Sequence, residues 1–310
     1  MNIGILGTGF GAYHASIYSK MNSVDSIKIW GRNKEKLQKL KEDLNIEITT
    51  DIDEIINDKN IDLVDICLPS SMHKGYAVKA MAAGKDIFCE TPVALCMEDA
   101  LAIKEASEKY QKKCFVDMFI RFDKDYKYIH KLITDNTLGS LKALYAKRET
   151  PHFWGDLSLD KISPNLMIHE CDFVTYLLGS ANEITALGVN SKEGESHISA
   201  LLDYKDTVAT IQSSSLMPFS HAFTTGYEAI FENGSVEYTC NGYSDREEEE
   251  LKLFTKDECR NISLPASNAY EEAFKHVIDC CINNTPSILT IDDAVNSLKT
   301  ALKIKSLVSK

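Results

Sequence analysis

Short apolar runs alternate with amphipathic stretches over the first 120 residues of the chain. The apolar runs lie at 2–6, 26–30, 61–69, 85–90 and 113–119. Their length and composition are typical of buried strands. Between them, stretches such as 34–44 and 97–111 repeat apolar residues at the helical spacing of three to four. Strand and helix in alternation predict a parallel sheet that is covered by helices on both faces.

After about residue 120 the pattern changes to several strands with few helices between them. Strands are expected at 141–149, 183–190, 197–204, 207–216, 225–232 and 235–239. Helices are expected at 123–136, 166–178, 269–283 and 292–309. This order predicts an α+β region with an open, mainly antiparallel sheet. We therefore expect two domains: residues 1–120 with a doubly wound parallel sheet, and residues 121–310 with the open sheet.

The composition narrows the class of partner. The chain has 310 residues, 44% of them apolar, and a formal net charge of −12, so a phosphate backbone of nucleic acid is not attracted to it in general. Nine cysteines without a C-x-x-C pair suit reduced thiols, and we expect a cytoplasmic protein. No apolar run approaches the ~20 residues that cross a bilayer. The spacing of His, Cys, Asp and Glu predicts no metal site.

A glycine turn follows the first predicted strand, in the stretch GILGTGFGAYHA. Gly7, Gly9 and Ala12 have the G-x-G-x-x-A spacing of a dinucleotide-binding turn, and a helix opens directly after it. Gly7 would permit the tight turn, Gly9 the close approach of a pyrophosphate, and Ala12 the packing of helix on strand. The candidate cofactor contacts are Gly7, Thr8, Gly9, Phe10, Gly11 and Ala12.

The end of the second strand bears on the choice between NAD and NADP. NAD-binding proteins usually carry an acidic residue there for the ribose 2′-hydroxyl, whereas an arginine nearby accommodates a 2′-phosphate. In this chain Gly31 stands at that position, followed by Arg32, Asn33 and Lys34. No acidic side chain would repel a phosphate, so we expect NADP to be preferred and name Arg32 and Asn33 as further cofactor contacts.

Longer motifs resemble a known family. GTGFGAYHA, DICLPSSMHKGYAVKAMAAGKDIFCETP, VDMFIRFD and MIHECDFVTYLLG are similar to segments of the glucose–fructose oxidoreductase / inositol dehydrogenase / rhizopine-catabolism (Gfo/Idh/MocA) family. The resemblance implies a Rossmann domain and an open-sheet substrate domain. It also implies an enzyme that oxidises or reduces sugars, cyclitols or related polyols with a nicotinamide cofactor. It also implies cofactor contacts at Leu68, Pro69, Ser70, His73, Glu90 and Arg121.

Two positions depart from the family's catalytic pattern. Most members have Glu-Lys-Pro where this chain has Glu90-Thr91-Pro92. In the family's second catalytic segment, Asn165 stands where most members have the first aspartate. Threonine supplies one neutral hydrogen bond and does not titrate near neutral pH, and asparagine accepts no proton. His169 is the titratable side chain that remains, so the resemblance implies catalysis by His169 with Thr91 and Asn165 as hydrogen-bonding neighbours.

Other residues are candidates for contact with substrate. Arg148, His152 and Trp154 lie in KRETPHFWGD, a segment that could cover a polyol or could equally be local core. Asp172 lies one helical turn beyond His169 and could orient it. His14 follows the glycine turn, where it could face the cofactor or the helix surface.

Three functions are compatible with these residues. We expect an oxidoreductase that transfers a hydride between NADP, or alternatively NAD, and a sugar-like or cyclic secondary alcohol or ketone held between the two domains. The first alternative is a redox-neutral enzyme with a tightly held nicotinamide nucleotide, since relatives of this kind also vary the middle residue of Glu-x-Pro. The second is a non-catalytic nucleotide-binding protein. The open sheet predicts a homodimer or homotetramer, without nucleic-acid or membrane partners.

Overall fold

A computed structural model describes residues 1–152, 155–191 and 193–309, which divide into two compact units. Unit 1 consists of Met1–Phe119 and Tyr270–Val295. Unit 2 consists of Ile120–Ala269 and Asn296–Lys310. Each unit is built around one sheet, of six strands in the first and eight in the second.

The sheet of unit 1 is wholly parallel, as the alternation of strands and helices predicts. Its strands are β1 (Asn2–Leu6), β2 (Ser26–Trp30), β3 (Glu47–Thr49), β4 (Leu63–Ile66), β5 (Asp86–Cys89) and β6 (Cys114–Val116). They lie in the order β3-β2-β1-β4-β5-β6. The order reverses between β1 and β4, and the carboxyl ends of strands at such a point form the crevice where α/β proteins bind ligands.

Helices connect these strands and cover the sheet. They are α1 (Gly11–Tyr18), α2 (Lys34–Leu44), α3 (Asp53–Ile56), α4 (His73–Ala82) and α5 (Met97–Tyr110), with a 3₁₀ turn at Ser70–Met72. Ile3, Ile5 and Val64 on the central strands are fully buried, as expected for a sheet covered on both faces. The short β3 and α3 were not predicted, because three or four residues carry no measurable periodicity.

A C-terminal segment belongs to unit 1, although the sequence suggested that 121–310 forms the second domain. Helix α9 (Ala269–Asn283) buries Phe274, whose ring centre lies 4.8 Å from that of Tyr18 and 5.2 Å from that of Phe88. The N–H of Val116 also donates to the carbonyl of Leu289. Periodicity predicts the apolar face of such a helix, but the sheet that this face covers is decided by packing.

Unit 2 contains a mixed sheet, and the predicted mainly antiparallel arrangement is confirmed. The strands are β7 (Leu141–Pro151), β8 (Glu183–Asn190), β9 (Ser196–Asp203), β10 (Val208–Met217), β11 (Phe223–Phe231), β12 (Gly234–Gly242), β13 (Glu247–Thr255) and β14 (Cys259–Asn261). Their order is β14-β13-β12-β11-β7-β10-β9-β8, and β7 and β10 are the parallel neighbours. Four consecutive glutamates, residues 247–250, begin β13, where their exposed carboxylates suit a strand near the sheet edge.

The helices of unit 2 lie against one face of its sheet. They are α6 (Lys124–Thr134), α7 (Leu159–Ile162), α8 (Ile168–Leu178) and most of α10 (Ile291–Val308), with a 3₁₀ turn at Phe119–Phe122 and a π-helical turn at Ser163–Met167. Helix α8 packs on β7 and β10, and α7 packs on β9. The nine cysteines are free thiols. Within the described residues, no helix combines the length and the apolar character needed to span a membrane.

Candidate functional site

The glycine turn after β1 depends on the absence of side chains at two positions. Gly7 has a φ of +115°, and a Cβ added there would lie 2.5 Å from the carbonyl oxygen of Cys67. A Cβ at Gly11 would lie 2.9 Å from the side chain of Ile5, so the close helix–strand packing expected at Ala12 is made by Gly11. At Gly9 a Cβ would meet nothing within 4 Å. The backbone at Gly9 is therefore open to a ligand.

Unsatisfied backbone donors surround this turn. Among the described residues, the N–H groups of Thr8, Gly9, Phe10 and Gly11 have no hydrogen-bond acceptor, whereas the N–H of Gly7 donates to the carbonyl of Trp30. Helix α1 begins here, and a helix N-terminus attracts negative charge. Free donors, an open backbone at Gly9 and a helix N-terminus together fit the pyrophosphate of a dinucleotide.

The end of β2 has no room for the acidic side chain of an NAD-type site. Gly31 is buried, and a Cβ there would lie 2.5 Å from Cγ2 of Thr8. The next side chain, Arg32, is exposed. Asn33, predicted as a cofactor contact, uses its side-chain oxygen to accept the N–H of Lys36 at 2.9 Å and so caps α2.

His73, also a predicted cofactor contact, is buried between two loops. Its Nε2 lies 2.8 Å from the carbonyl oxygen of Leu68, and its Nδ1 lies 3.1 Å from that of Pro92. Burial lowers the pKa of His73. Its ring therefore joins the segment after β4 to the segment after β5. Pro69 is exposed and Ser70 is half-buried on the first of these segments.

Glu90 and Thr91 stand at the carboxyl end of β5. The backbone N–H of Thr91 donates to Oε2 of Glu90 at 3.2 Å. Oε1 of Glu90 lies 2.9 Å from Nε2 of His14. The Thr91 side chain is half-buried and places a hydroxyl where most members of the resembled family have an ammonium. The carboxylate of Glu90 thus connects the Glu-x-Pro segment to α1.

His14 is fully buried, which excludes the helix-surface position left open by the sequence. Its Nδ1 lies 2.8 Å from Oδ2 of Asp65 and 3.2 Å from Sγ of Cys67. Burial is the largest single effect and opposes a charge on this imidazole, but Asp65 and Cys67 together outweigh it and raise the pKa of His14. The sequence analysis did not identify Asp65, although an acidic residue inside the apolar run LVDIC is itself a signal, because buried carboxylates need partners.

The donor atoms of His14, Cys67 and Glu90 lie within 4.8 Å of one another, a spacing that metal sites also show. However, Cys67 approaches Nδ1 of the ring and Glu90 approaches Nε2. An ion bound to one ring nitrogen would have the other ligand on the far side of the ring. We therefore interpret the group as a cluster of charged and hydrogen-bonded side chains.

The predicted proton carrier of unit 2, His169, lies in the first turn of α8 and is partly exposed. Burial of the ring and the nearby Arg148 guanidinium lower the pKa of His169 well below its ordinary value. Asn165 is exposed in the π-helical turn just before α8, and its Nδ2 donates to the carbonyl of Lys161 at 2.8 Å. The imidazole of His169 is therefore neutral at neutral pH and able to accept a proton.

Arg148 and Glu170 form a buried ion pair beside this helix. Nε of Arg148 lies 2.9 Å and 3.0 Å from the two carboxylate oxygens of Glu170. Glu170 has no exposed surface, and burial raises its pKa while Arg148 opposes the increase. Arg148 was predicted as a substrate contact. In the structure its guanidinium is bound to Glu170, a residue that the sequence analysis missed.

Arg121 and Asp172 form a second buried pair in unit 2. Nε and Nη2 of Arg121 donate to the two oxygens of Asp172 at 2.9 Å and 2.6 Å. Ser297 donates to the same carboxylate at 2.8 Å, and the Arg121 guanidinium lies 4.3 Å from the ring centre of Tyr176. Asp172 was predicted to orient His169 or contact substrate, and Arg121 to contact the cofactor. The structure joins them to each other.

The segment after β7 is described in part. His152 is half-buried, with its Nδ1 3.6 Å from a carboxylate oxygen of Glu195. Trp154, predicted as a substrate contact, lies outside the described residues.

Comparison with known proteins shows which family the first part of the chain is similar to. Residues 1–118 match the sequence profile of an oxidoreductase family with an NAD-binding Rossmann fold. This is the family, Gfo/Idh/MocA, that the motifs of the chain resemble, and the profile match covers its first 118 residues.

The relatives share part of the sequence and the whole fold. The chain is 26% identical over 193 residues to myo-inositol 2-dehydrogenase of Thermotoga maritima. The alignment covers 59% of this chain and 56% of that protein. It is 27% identical over 202 residues to 2,7-anhydro-N-acetylneuraminate hydratase of Escherichia coli, covering 61% and 53%. The chain thus spans about half the length of the curated relatives it matches. UDP-N-acetylglucosamine 3-dehydrogenase GnnA of Acidithiobacillus ferrooxidans has a similar fold, with a TM-score of 0.83 at 19% identity over 99% of this chain and 97% of that one.

The Arg121–Asp172 pair generates a prediction on stability. We expect Asp172→Ala to lower the free energy of unfolding by about 3–5 kcal/mol, because it removes the carboxylate that accepts from both Nε and Nη2 of the buried Arg121. Urea unfolding monitored by circular dichroism would measure the change. As a control, Glu248→Ala breaks the exposed Arg246–Glu248 pair and should leave stability almost unchanged. Equal effects of the two substitutions would contradict the prediction.

Proposed function

We propose that the protein is an oxidoreductase that transfers a hydride between a nicotinamide nucleotide, preferably NADP, and a sugar-like or cyclic secondary alcohol or ketone. The observation that carries the proposal is the turn Gly7–Ala12, with four free backbone donors at the start of α1 and open space at Gly9. The substrate class is supported by a relative named as an inositol dehydrogenase. Because the alignment covers about half of that relative, the substrate belongs to the proposal.

His169 is the proposed acid–base group. The bound nucleotide accepts or supplies the hydride, and the substrate hydroxyl must then lose or regain a proton. A neutral imidazole with a lowered pKa is a competent acceptor for that proton in the direction of alcohol oxidation. Thr91 and Asn165 are proposed as neutral hydrogen-bonding partners. Because a neutral donor replaces the lysine, stabilisation of an alkoxide is weaker, and loss of one such donor typically costs ~10²–10³ in rate.

The preference for NADP is supported by the end of β2. A carboxylate at position 31 would have to displace the Thr8 methyl group, which lies 2.5 Å from the place of the missing Cβ. Arg32 is exposed beside it and carries the charge that a 2′-phosphate needs. Asn33 supports the proposal indirectly, because its cap fixes the start of α2 at this point.

A redox-neutral reaction is the second candidate. It is favoured by the relative named as a hydratase and by Thr91, which does not titrate near neutral pH. An enzyme of this kind would retain its nucleotide through purification and convert substrate without steady consumption of NADPH. A non-catalytic nucleotide-binding protein would bind the nucleotide but show no turnover with a broad panel of sugars and ketones.

We also propose that the protein forms a homo-oligomer through the open face of the unit 2 sheet. Exposed side chains alternate with half-buried ones along most of β8, and Leu187 and Val189 are 81% and 59% exposed. Leu201 on β9 is exposed on the same face. A row of exposed aliphatic side chains on a sheet favours burial against a second copy.

The cofactor preference leads to a first prediction for this function. We expect Arg32→Ala to weaken NADP⁺ binding about 10–100-fold and to leave NAD⁺ binding unchanged, because a charge-assisted contact to the 2′-phosphate is lost. Titration calorimetry with both nucleotides would measure this. Lys39→Ala removes an exposed positive charge from α2, the helix that follows Arg32, and serves as control. Unchanged NADP⁺ affinity in Arg32→Ala would refute the assigned contact.

The proton role of His169 leads to a second prediction. We expect His169→Asn to lower kcat by ~10²–10⁴, because acid–base transfer by the imidazole is lost. In alcohol oxidation the wild-type rate should fall only as the pH drops below about 6.5, since the neutral imidazole persists down to its lowered pKa. This acid limb should be absent in the variant and intact in His221→Asn. A His169→Asn enzyme with unchanged rate and pH profile would exclude the role.

The proposed interface leads to a third prediction. We expect Leu187→Glu combined with Leu201→Glu to convert the oligomer to a monomer, because two charges would be buried at the contact. Light scattering after size-exclusion chromatography would give the mass. Leu101→Glu changes an exposed leucine on α5 of unit 1 and should leave the mass as in wild type. A wild-type protein that is already monomeric would end the proposal.

A further inference from the structure

Three acidic side chains surround one imidazole inside unit 1. His14 is 2.8 Å from Asp65, 2.9 Å from Glu90 and 3.9 Å from Asp117, measured between the nearest nitrogen and oxygen atoms. His14, Asp65 and Asp117 have no exposed surface, and the Glu90 side chain is 18% exposed. We call these four residues the His14 cluster. Glu90 is the member that reaches solvent.

The His14 cluster has an unequal number of positive and negative groups. One imidazole supplies at most a single positive charge, while three carboxyl groups can supply three negative ones. The neighbouring Cys67 thiol and Tyr18 hydroxyl stay protonated, because burial raises the pKa of each. The ring of Phe274 on α9 closes another side of the imidazole at 4.5 Å and carries no charge. The cluster is therefore negative whenever two of its carboxyl groups are ionised.

Asp117 is the member that holds a proton. Within the described part of the chain, neither of its carboxyl oxygens has a hydrogen-bond partner, although the side chain is fully buried. Burial and the nearby Glu90 carboxylate raise the pKa of Asp117 well above its ordinary value. Besides a protonated Asp117, the cluster sets two further carboxyl groups, Asp65 and Glu90, against one imidazole, so acidic groups outnumber basic ones.

The His14 cluster lies in the part of the sheet where a doubly wound fold binds a ligand. Asp65 is the third of the four residues of β4. Glu90 directly follows β5, and Asp117 directly follows β6. His14 lies in α1, which begins at the glycine turn. The three carboxyl groups thus lie at the carboxyl ends of β4, β5 and β6, the strands on one side of the point where the strand order reverses. In a doubly wound sheet this half binds the second nucleotide of a dinucleotide. In a nicotinamide dinucleotide that half carries the ring that is positively charged when oxidised and neutral when reduced.

We infer that the His14 cluster acts as a buried counter-charge that makes the protein bind the oxidised nicotinamide nucleotide more tightly than the reduced one, with Glu90 as the residue that determines the preference. This inference rests on the proposed function, because it requires that a nicotinamide nucleotide binds to unit 1. The physical basis is Coulomb attraction at low effective dielectric, which acts on the charged ring and is absent for the neutral one. Because tighter binding of the oxidised form lowers the hydride affinity of the bound nucleotide, the equilibrium on the protein would shift toward transfer of a hydride to the substrate.

The test compares the two redox states of one nucleotide in the absence of substrate. Dissociation constants of NADP⁺ and NADPH would be measured by titration calorimetry for the wild type, Glu90→Gln and Glu98→Gln. Glu98 is an exposed glutamate in the first turn of α5 and provides the matched control. Glu90→Gln keeps the size of the side chain and removes one negative charge. We expect Glu90→Gln to reduce the preference for NADP⁺ over NADPH, measured as the ratio of the two dissociation constants, about tenfold.

Asp117→Asn tests where the proton lies. At pH 7 this variant should keep the wild-type ratio, because the carboxyl that it replaces is already uncharged. As the pH rises, Asp117 of the wild type should ionise and strengthen the preference for NADP⁺, while the ratio in Asp117→Asn should stay constant. The 2′-phosphate is common to both redox forms, so its own titration cancels in the ratio.

The outcomes separate the inference from the function on which it rests. If neither NADP⁺ nor NADPH, nor NAD⁺ nor NADH, binds the folded wild-type protein, the proposed function fails. If the nucleotides bind but Glu90→Gln and Glu98→Gln give the same ratio as wild type, the counter-charge is wrong while the function stands. A shift in Asp117→Asn at pH 7 as large as that in Glu90→Gln would overturn the assignment of the proton.

Discussion

The close approach of Gly7 to Cys67 is the constraint on which the rest of unit 1 depends. A single added Cβ at position 7 would lie 2.5 Å from the carbonyl oxygen of Cys67, so the ends of β1 and β4 can meet only because residue 7 has no side chain. This contact turns the chain sharply into α1 and leaves the backbone donors of the turn open. It also brings His14 on α1 against Asp65 at the end of β4.

Buried ionisable side chains organise both units. In unit 1 the imidazole of His14 lies among carboxyl groups, and in unit 2 Arg121 and Arg148 are bound to Asp172 and Glu170. Burying such pairs gains little stability over apolar packing, whereas removing one partner is costly. Their value is geometric, since a bidentate pair fixes the direction of both side chains. Residues that look like ligand contacts in the sequence can therefore act by holding an element in place.

The replacement of the family lysine by Thr91 changes what the Glu-x-Pro segment can contribute. A hydroxyl offers a neutral hydrogen bond, so the titratable groups on this segment and around it are Glu90 and the partners of Glu90 in the core. His169, with its lowered pKa, remains the proposed acid–base group of unit 2. The chemistry proposed for the chain therefore depends on electrostatics in unit 1 and on proton transfer in unit 2.

The sequence by itself determined the class of both sheets and the glycine turn, because periodicity and glycine spacing are local and read directly from the chain. It also identified His169 and Glu90 as candidates, whose roles stay predictions. Only the tertiary structure decided that α9 covers the parallel sheet, that Gly11 rather than Ala12 packs on β1, and that Arg121 pairs with Asp172. The partners in the first and last of these contacts are far apart in sequence, and Asp172 lies 51 positions after Arg121. A pairing of that kind is selected by the packing of whole elements, which no local pattern contains.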